Sequence, residues 1–176
     1  SQIFTNTIVI AVGKLLLNVL VPVIFALLLD EIKNVAFKRC IQTVVYLPHF
    51  ISWVIMGGIL LDVFGLYGPI NMVLSAFGME PIAFFRISKL FRTLAIGTDV
   101  WKEFGFNAVV YLAALTGISP SLYEAAAIDG AGRWSRMWHI TLPGLKPVIV
   151  LMTILALGNI LNAGFDQIYN IYNQAV

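Results

Sequence analysis

Residues 118–147 read ISPSLYEAAAIDGAGRWSRMWHITLPGLKP and separate two long apolar stretches of the chain. Ser119 and Pro120 suit the N-cap and the first position of a helix, because a proline at that position has no N–H that needs a partner. Ser121 and Glu124 offer an alternative capping box for the same helix. The first half of this segment therefore predicts a short helix.

The second half of the segment predicts a glycine turn followed by another short helix. Gly130 and Gly132 permit the left-handed or tight backbone that ends a helix. We expect the second helix to run from about Arg133 to Ile140 and to stop at Pro143. Its apolar and aromatic side suits a membrane interface and comprises Trp134, Met137, Trp138 and Ile140.

The composition of the chain places this segment in a membrane protein. Of its 176 residues, 60% are hydrophobic and 11% are charged, whereas about a quarter are charged in an ordinary globular domain. The mean hydropathy is +0.90. Such a chain has too few polar side chains to cover its own surface in water. We therefore expect a lipid bilayer around it.

Four stretches are long enough to cross a hydrocarbon core of about 30 Å, which takes about 20 residues of helix. We predict an all-α fold, a polytopic transmembrane helix bundle. The four helices have approximate bounds Ile8 to Leu29 (helix A), Ile41 to Phe64 (B), Thr93 to Gly117 (C) and Val148 to Tyr172 (D). Pro22 and Pro48 predict kinks in A and B, and Pro147 suits the first turn of D.

The orientation of the bundle does not follow from basic residues, because the A–B, B–C and C–D loops each contain three of them. Four crossings place both chain ends on one side of the membrane. Ser1 and Val176 lie in segments with no start, tail or sorting feature. We therefore expect a single domain over residues 1–176 that continues into further sequence, with one more helix at each end.

Other classes of site and partner are disfavoured. The net charge is +2 and the basic residues are dispersed, so no nucleic-acid partner is expected. Cys40 and His49 have no second ligand at metal-binding spacing, and we expect Cys40 to be a small buried side chain. The sequence contains no phosphate-binding Gly-x-x-x-x-Gly-Lys-Ser/Thr loop, so no ATP site is predicted on this chain. We also predict no metal, other cofactor or catalytic residue on it.

The segment between helices C and D resembles the EAA motif of ABC importer permeases, the inner-membrane components of binding-protein-dependent transport. That motif is Glu-Ala-Ala, three residues, Gly, nine residues and Ile-x-Leu-Pro. The chain matches it at Glu124, Ala125, Ala126, Gly130, Ile140, Leu142 and Pro143.

The resemblance implies that residues 118–147 form the coupling loop that docks on a separate ATP-binding subunit in the cytoplasm. Glu124 would be the charged contact, and small residues there would let the two backbones approach closely. The other residues expected to take part are Ala125, Ala126, Asp129, Gly130, Ile140, Leu142 and Pro143. The A–B and C–D loops would then be cytoplasmic, and both ends of the chain would lie outside.

Nearly the whole chain is similar to the carbohydrate branch of that family, in particular to the group resembling the LplB polysaccharide permeases. The similar segments include YLPHFISW at 46–53, WKE at 101–103 and NAGFDQ at 162–167. The resemblance implies a MetI/MalF-like permease fold in the bacterial cytoplasmic (inner) membrane. It also implies a second, identical or different permease subunit, an extracytoplasmic solute-binding protein, and ATP hydrolysis on a partner subunit rather than on this chain.

Polar residues inside the predicted helices indicate where a solute would pass. Amides and carboxylates bind sugar hydroxyls, and aromatic faces stack on pyranose rings. Three groups of such residues recur at helical spacing: Gln42, Tyr46, His49 and Trp53 in helix B; Asp99, Glu103 and Asn107 in helix C; and Asn159, Asn162, Asp166, Asn170 and Asn173 in helix D. The alternative is that these groups bond between helices, each contributing about 0.5–2 kcal/mol. Asp99 and Lys102 also have the spacing of an i,i+3 ion pair.

Three other functions are compatible with parts of the sequence. One is a permease of the same family for a solute other than a sugar, and another is a membrane scaffold that docks a cytoplasmic partner without transport. The third is an intramembrane enzyme, for which Ser52 and His49 are the nearest nucleophile and base. Those two residues have no third orienting group, so the sequence disfavours that function.

Overall fold

The computed structural model describes residues 2–159 and 164–172, and these residues form nine α-helices and no strand. The all-α class predicted from the sequence is thereby confirmed. The helices are α1 (Gln2–Asp30), α2 (Val35–Tyr46), α3 (Trp53–Phe64), α4 (Pro69–Ala76), α5 (Ser88–Thr116), α6 (Pro120–Ile128), α7 (Arg133–Arg136), α8 (Leu142–Asn159) and α9 (Phe165–Tyr172). A 3₁₀ segment (Leu47–Phe50) joins α2 to α3, and a π-helical segment (Met137–Thr141) joins α7 to α8.

Three stretches of the described chain are long and apolar enough to cross a membrane: Phe4–Asp30, Trp53–Ala76 and Arg133–Gly158. Helix α5 adds a fourth crossing if it is counted with α6, from which it is bent by 68°. Many large apolar side chains on these helices are exposed, as expected for a surface that faces lipid. The predicted helices A and C correspond to α1 and α5, each of 29 residues.

Helices α1 and α5 run parallel to each other along most of their length. Lys14 pairs with Asp99, and further along both helices the rings of Phe25 and Phe104 lie 5.2 Å apart. Helix α8 returns in the opposite direction and packs against the same core. The loops after α1 and α5 therefore lie on one side of the bundle, as the sequence predicted for the A–B and C–D loops.

The predicted helix B is not one helix, because the α-helical conformation ends before the 3₁₀ segment that contains Pro48 and resumes only after Ser52. Pro48 lies in the 3₁₀ segment, and the Ser52 hydroxyl caps α3 by accepting from the backbone N–H of Ile55 at 3.3 Å. A proline without an N–H and a serine that bonds to the backbone both interrupt the i→i+4 pattern. Helix α2 is consequently separate from the apolar span. Its Cys40 is exposed, so the expected burial was wrong.

The predicted boundaries around Pro143 and Pro147 were also wrong. The chain is helical from Arg133 through Asn159, and Pro147 lies inside α8 rather than in its first turn. The π-helical segment changes the backbone hydrogen-bond pattern just before Pro143, so that a residue without an N–H fits there. Pro143 therefore does not stop the second short helix.

A break near Gly164 also contradicts the single helix D predicted over residues 148–172. Gly164 has φ of +67°, and α9 begins at the next residue. Asp166 and Asn170 thus belong to a different helix from Asn159. The predicted Asn162 and Asn173 lie outside the described residues, as do both chain ends and the side chain of Asn159.

Helices α2 and α5 approach each other closely at a glycine. A Cβ added to Gly105 would lie 2.3 Å from the carbonyl oxygen of Val45 and 2.5 Å from its Cγ1. Gly97 on the same helix has nothing within 4 Å of an added Cβ. The absence of a side chain at Gly105 therefore allows α2 and α5 to pack closely, whereas Gly97 has no neighbour that requires a glycine.

We expect Gly105→Ala to lower the free energy of unfolding by about 1–3 kcal/mol, because the α2 backbone has to move away. Gly97→Ala is the matched control and should be neutral or stabilising by up to about 1 kcal/mol. Thermal unfolding of the full-length permease in detergent measures both. Equal melting temperatures for the two variants would contradict the close packing described for Gly105.

Candidate functional site

A cavity of about 560 Å³ opens between α1, α5 and α8, with Trp53 and Gly164 also in its wall. Lys14 and Asn18 on α1 are one helical turn apart, and so are the polar residues of α5, so each set shares one face of its helix. Met152, Leu155 and Ala156 of α8 contribute an apolar side. The polar residues that line the cavity are Lys14, Asn18, Asp99, Glu103 and Asn107.

A buried ion pair lies at the centre of the polar wall. The Lys14 ammonium is 3.0 Å from Asp99 Oδ1, and the Asn18 amide donates to Asp99 Oδ2 at 2.8 Å. The side chains of Lys14 and Asp99 are only 9% and 14% exposed. The predicted Asp99–Lys102 pair is wrong, because Asp99 faces α1 and its partner comes from there.

Gln167 of α9 extends this network to a third helix. Its Oε1 accepts from Lys14 Nζ, and its Nε2 donates to the Ala95 carbonyl and to Thr98 Oγ1, both at 2.8 Å. The side chain is completely buried, and all its donors and acceptor are used. A Cβ on Gly164 would lie 2.1 Å from Lys14 Nζ, and the positive φ of this residue also favours glycine at the turn. Helices α1, α5 and α9 are therefore joined through one lysine and one glutamine.

A second charged cluster lies along α5 next to the first. Glu103 Oε2 is 2.7 Å from His49 Nδ1, and Glu103 Oε1 is 3.0 Å from Lys102 Nζ. The same ammonium donates to the backbone carbonyl of His49 at 2.9 Å and lies 5.3 Å from the ring centroid of Trp53. Glu103 and Trp53 belong to the cavity wall. The 3₁₀ segment between α2 and α3 is thus attached to α5 beside the cavity.

The residues predicted on the transport path are distributed unevenly around the cavity. Trp53 lines it, and His49 reaches it only through Glu103. Tyr46 ends α2 outside the lining, and burial raises the pKa of its phenol, with a smaller opposite effect from the hydrogen bond to Gln42. Asp166 is exposed, and Asn170 packs against Gly57 of α3. Helix packing therefore accounts for the position of Asn170.

The predicted nucleophile and base of an intramembrane enzyme do not come together. The Ser52 hydroxyl caps α3, and His49 Nδ1 is engaged by Glu103. Among the described residues no group of three or more His, Cys, Asp or Glu side chains is arranged to hold a metal ion. Ser52 and His49 are therefore engaged by separate partners.

The segment between α5 and α8 begins with α6, which starts at Pro120 with Ser119 as N-cap residue, as predicted. The Ser119 side chain bonds to the Ser121 hydroxyl at 2.7 Å instead of capping the backbone. At the other end, Gly130 has φ of +75°, and its N–H donates to the Ala127 carbonyl at 3.1 Å. The N–H of Ala131 reaches Ala126 at 2.8 Å, which completes a Schellman motif.

The motif residues divide into an exposed set and an anchoring set. The exposed set consists of Glu124, Ala125, Asp129, Gly130 and Pro143, with Ala126 half-buried. Ile140 is also half-buried, and Leu142 packs against the core cluster around Ala26 and Tyr111. Tyr123 of α6 bonds to the buried Thr141 hydroxyl at 3.0 Å. Helix α6 is thereby held on the end of α8 with Glu124 facing outward.

The sequence of the chain matches a known protein family over most of its length. Residues 18–165 match the profile of the binding-protein-dependent transport system inner membrane component. The chain belongs to this family. The matched range includes the polar cavity wall from Asn18 onward and the whole segment between α5 and α8.

Two curated relatives from one organism match nearly the whole chain. The polygalacturonan/rhamnogalacturonan transport system permease protein YteP of Bacillus subtilis (strain 168) is 45% identical over 96% of this chain and 53% of its own length. Protein LplB of the same organism is 41% identical over 98% of this chain and 54% of its own length. The chain therefore spans about half the length of these curated relatives.

A solved structure shows the same fold. The crystal structure of a bacterial alginate ABC transporter in complex with an alginate pentasaccharide-bound periplasmic protein contains a chain that superposes with a TM-score of 0.89 at 37% identity. The match covers 97% of this chain and 62% of that one. The predicted permease fold is confirmed, and the relatives are transport subunits rather than enzymes.

Three residues of the cavity network were not predicted as site residues: Lys14, Asn18 and Gln167. Lys14 is the single charge in a long apolar run, and an intramembrane charge indicates a buried partner or a wet cavity. That signal was available in the sequence. Asn18 and Gln167 carried no comparable signal, because single amides are common inside membrane bundles and their partners lie 81 and 72 residues away.

We expect Lys14→Met to destabilise the permease by about 3–5 kcal/mol, because it leaves the Asp99 carboxylate buried without a counter-charge. The double variant Lys14→Met/Asp99→Asn removes both charges and should recover part of that loss. Thermal unfolding of the full-length protein in detergent measures the series. Lys33→Met, in the exposed loop after α1, is the matched control and should leave the melting temperature unchanged. Additive losses in the double variant would contradict the pairing.

Proposed function

We propose that this chain forms the membrane path of an ATP-driven importer, through which a saccharide passes after delivery by a solute-binding protein. The observation that carries the proposal is the polar-walled cavity of about 560 Å³ inside an apolar bundle. Charged and amide groups are costly at such depth and mark solute pathways. The cavity volume is in the range of small-molecule binding sites.

The chemistry of the wall suits a polyhydroxylated solute. Glu103 presents carboxylate oxygens and Asn107 presents an amide, so hydroxyl groups have both acceptors and a donor available. Trp53 adds an aromatic surface on the same wall. A saccharide offers alternating hydroxyl groups and apolar ring faces, which match this combination.

The relatives support the saccharide assignment by the names of what they transport. One relative is a polygalacturonan/rhamnogalacturonan permease protein, and the structural neighbour belongs to an alginate transporter in complex with a saccharide-bound periplasmic protein. By analogy, this chain would work with a solute-binding protein on the outer side and with a second permease subunit in the membrane. ATP would be bound and hydrolysed on a separate subunit.

The coupling segment supplies the contact with that ATP-binding subunit in this proposal. Helix α6 projects from the end of α5 at 68°, and Glu124 and Ala125 are exposed on it. A short helix with an exposed carboxylate and small neighbours suits insertion into a cleft with a basic partner. The contacts of Tyr123 with Thr141 and of Leu142 with the core would hold this helix on the bundle while the ATP-binding subunit changes conformation.

Uptake by the assembled full-length importer tests the proposal. The permease would be reconstituted in liposomes with its partner permease, its ATP-binding subunit and its solute-binding protein. We expect ATP-dependent accumulation of at least one of three probes: oligogalacturonides, alginate oligosaccharides or maltodextrins. Binding-protein-stimulated ATPase activity without uptake of any of them would exclude a saccharide as the solute, and a complex with no ATPase stimulation would favour a scaffold.

Glu124→Lys tests the coupling contact in the same liposomes. We expect uptake to fall to background and binding-protein-stimulated ATPase activity to fall at least about tenfold, because a buried contact with a basic partner is replaced by repulsion. Glu31→Lys makes the same charge change at an exposed position just after α1 and should retain both activities. Unchanged ATP-coupled uptake in Glu124→Lys would contradict the assignment of Glu124 to the contact with the ATP-binding subunit.

A further inference from the structure

His49 was expected on the transport path, yet its ring is not part of the cavity wall. The imidazole stacks on Phe106 with ring centroids 3.9 Å apart and an interplanar angle of 1°. Its Nδ1 lies 2.7 Å from Glu103 Oε2. A carboxylate has only acceptors, so the imidazole N–H is the donor of this bond. His49 therefore contacts the cavity through another residue.

Glu103 is held at both carboxylate oxygens. His49 binds Oε2, and the Lys102 ammonium binds Oε1 at 3.0 Å. Each carboxylate oxygen has two acceptor positions, so each keeps one for a further donor. Because Glu103 lines the cavity, the free positions are available to hydroxyl groups of a solute. Two fixed bonds also remove the rotamer freedom that a free glutamate loses on binding.

The donor group of His49 is itself fixed in place from α5. Lys102 is only 5% exposed, and its ammonium donates to the His49 backbone carbonyl at 2.9 Å. The same residue contacts the face of Trp53 at the start of α3. The 3₁₀ segment that carries His49 is thus tied to the helix that carries Glu103. This attachment places the imidazole where it can hold the carboxylate.

We propose that His49 is a positioning residue of the cavity: it holds the Glu103 carboxylate in the orientation that binds the solute and does not contact the solute itself. The inference rests on the proposed function, because it assigns Glu103 to the binding of saccharide hydroxyl groups. Supporting side chains of this kind determine how well a binding group is preorganised. His49 acts on solute affinity rather than on the rate of the transport cycle.

Two substitutions separate the hydrogen bond from the ring stacking. His49→Phe keeps an aromatic ring on Phe106 and removes the donor to Glu103. His49→Asn removes the ring and places an amide N–H near the position of Nδ1. Thr43→Ala is the control on the neighbouring helix α2, where the exposed Thr43 hydroxyl donates to the Arg39 carbonyl of its own helix.

The measurement is the saccharide concentration that half-saturates the purified full-length permease complex in the absence of the solute-binding protein, together with the maximal uptake rate in liposomes holding the complete importer. The probe is whichever oligogalacturonide, alginate oligosaccharide or maltodextrin the unmodified importer takes up. We expect His49→Phe to raise the half-saturating concentration about tenfold, in line with the loss of a hydrogen bond to a charged group. His49→Asn and Thr43→Ala should stay within about threefold of the unmodified importer, with maximal rates within about twofold throughout.

A double-mutant cycle with Glu103→Ala tests the route of the effect. If His49 acts through Glu103, His49→Phe adds nothing further in the Glu103→Ala background. Equal effects in both backgrounds, or equal effects of the Phe and Asn variants, would overturn the inference. Should Glu103→Ala fail to assemble, the comparison of the two His49 variants still decides. Absence of saccharide uptake by the unmodified importer overturns the proposed function and this inference together.

Discussion

The buried contact between Lys14 and Asp99 is the interaction on which the rest of the structure depends. An ammonium in an apolar bundle is tolerated only with a counter-charge and further hydrogen bonds. Lys14 obtains these from Asp99 and Gln167, and Asp99 is further bound by Asn18. One charge on α1 therefore fixes how α5 and α9 lie against it. The cavity is the space left beside this contact, and its wall is polar for that reason.

Broken helices complete the cavity. The chain leaves regular helix at the 3₁₀ segment before α3 and again at Gly164 before α9. Both breaks lie next to charged side chains of α5 or α1: Lys102 binds the first through the His49 carbonyl, and Lys14 fills the space at the second. In a membrane, irregular backbone is tolerated where it is buried in protein or lines a cavity. Lys102 thus satisfies a carbonyl of the first irregular segment, and the second irregular segment leaves room for the Lys14 ammonium.

Local sequence signals predicted the helical class, the spans α1 and α5, the start of α6 and the turn at Gly130. These features depend on apolar run length, on Pro120 and on a glycine with positive φ, all of which are properties of neighbouring residues. The partners of Lys14 and His49 were not predictable, because they are 85 and 54 residues away. The sequence also did not predict that the helix continues through Pro143. That continuity depends on a π-helical segment, for which the sequence has no marker. The residues of α5 that face the cavity were indicated by their spacing, but their ion-pair partners were not.

The helix that begins at α7 continues without a loop into α8, and this continuity has a geometric consequence. Residues Arg133–Gly158 form 26 residues of continuous helix, a rod of about 39 Å. One end carries the aromatic side chains beside α6, and the other end contributes Leu155 and Ala156 to the cavity wall. Because no loop separates these two ends, a tilt of the helix about its middle moves the side chains at the α7 end and the cavity-lining side chains in opposite directions.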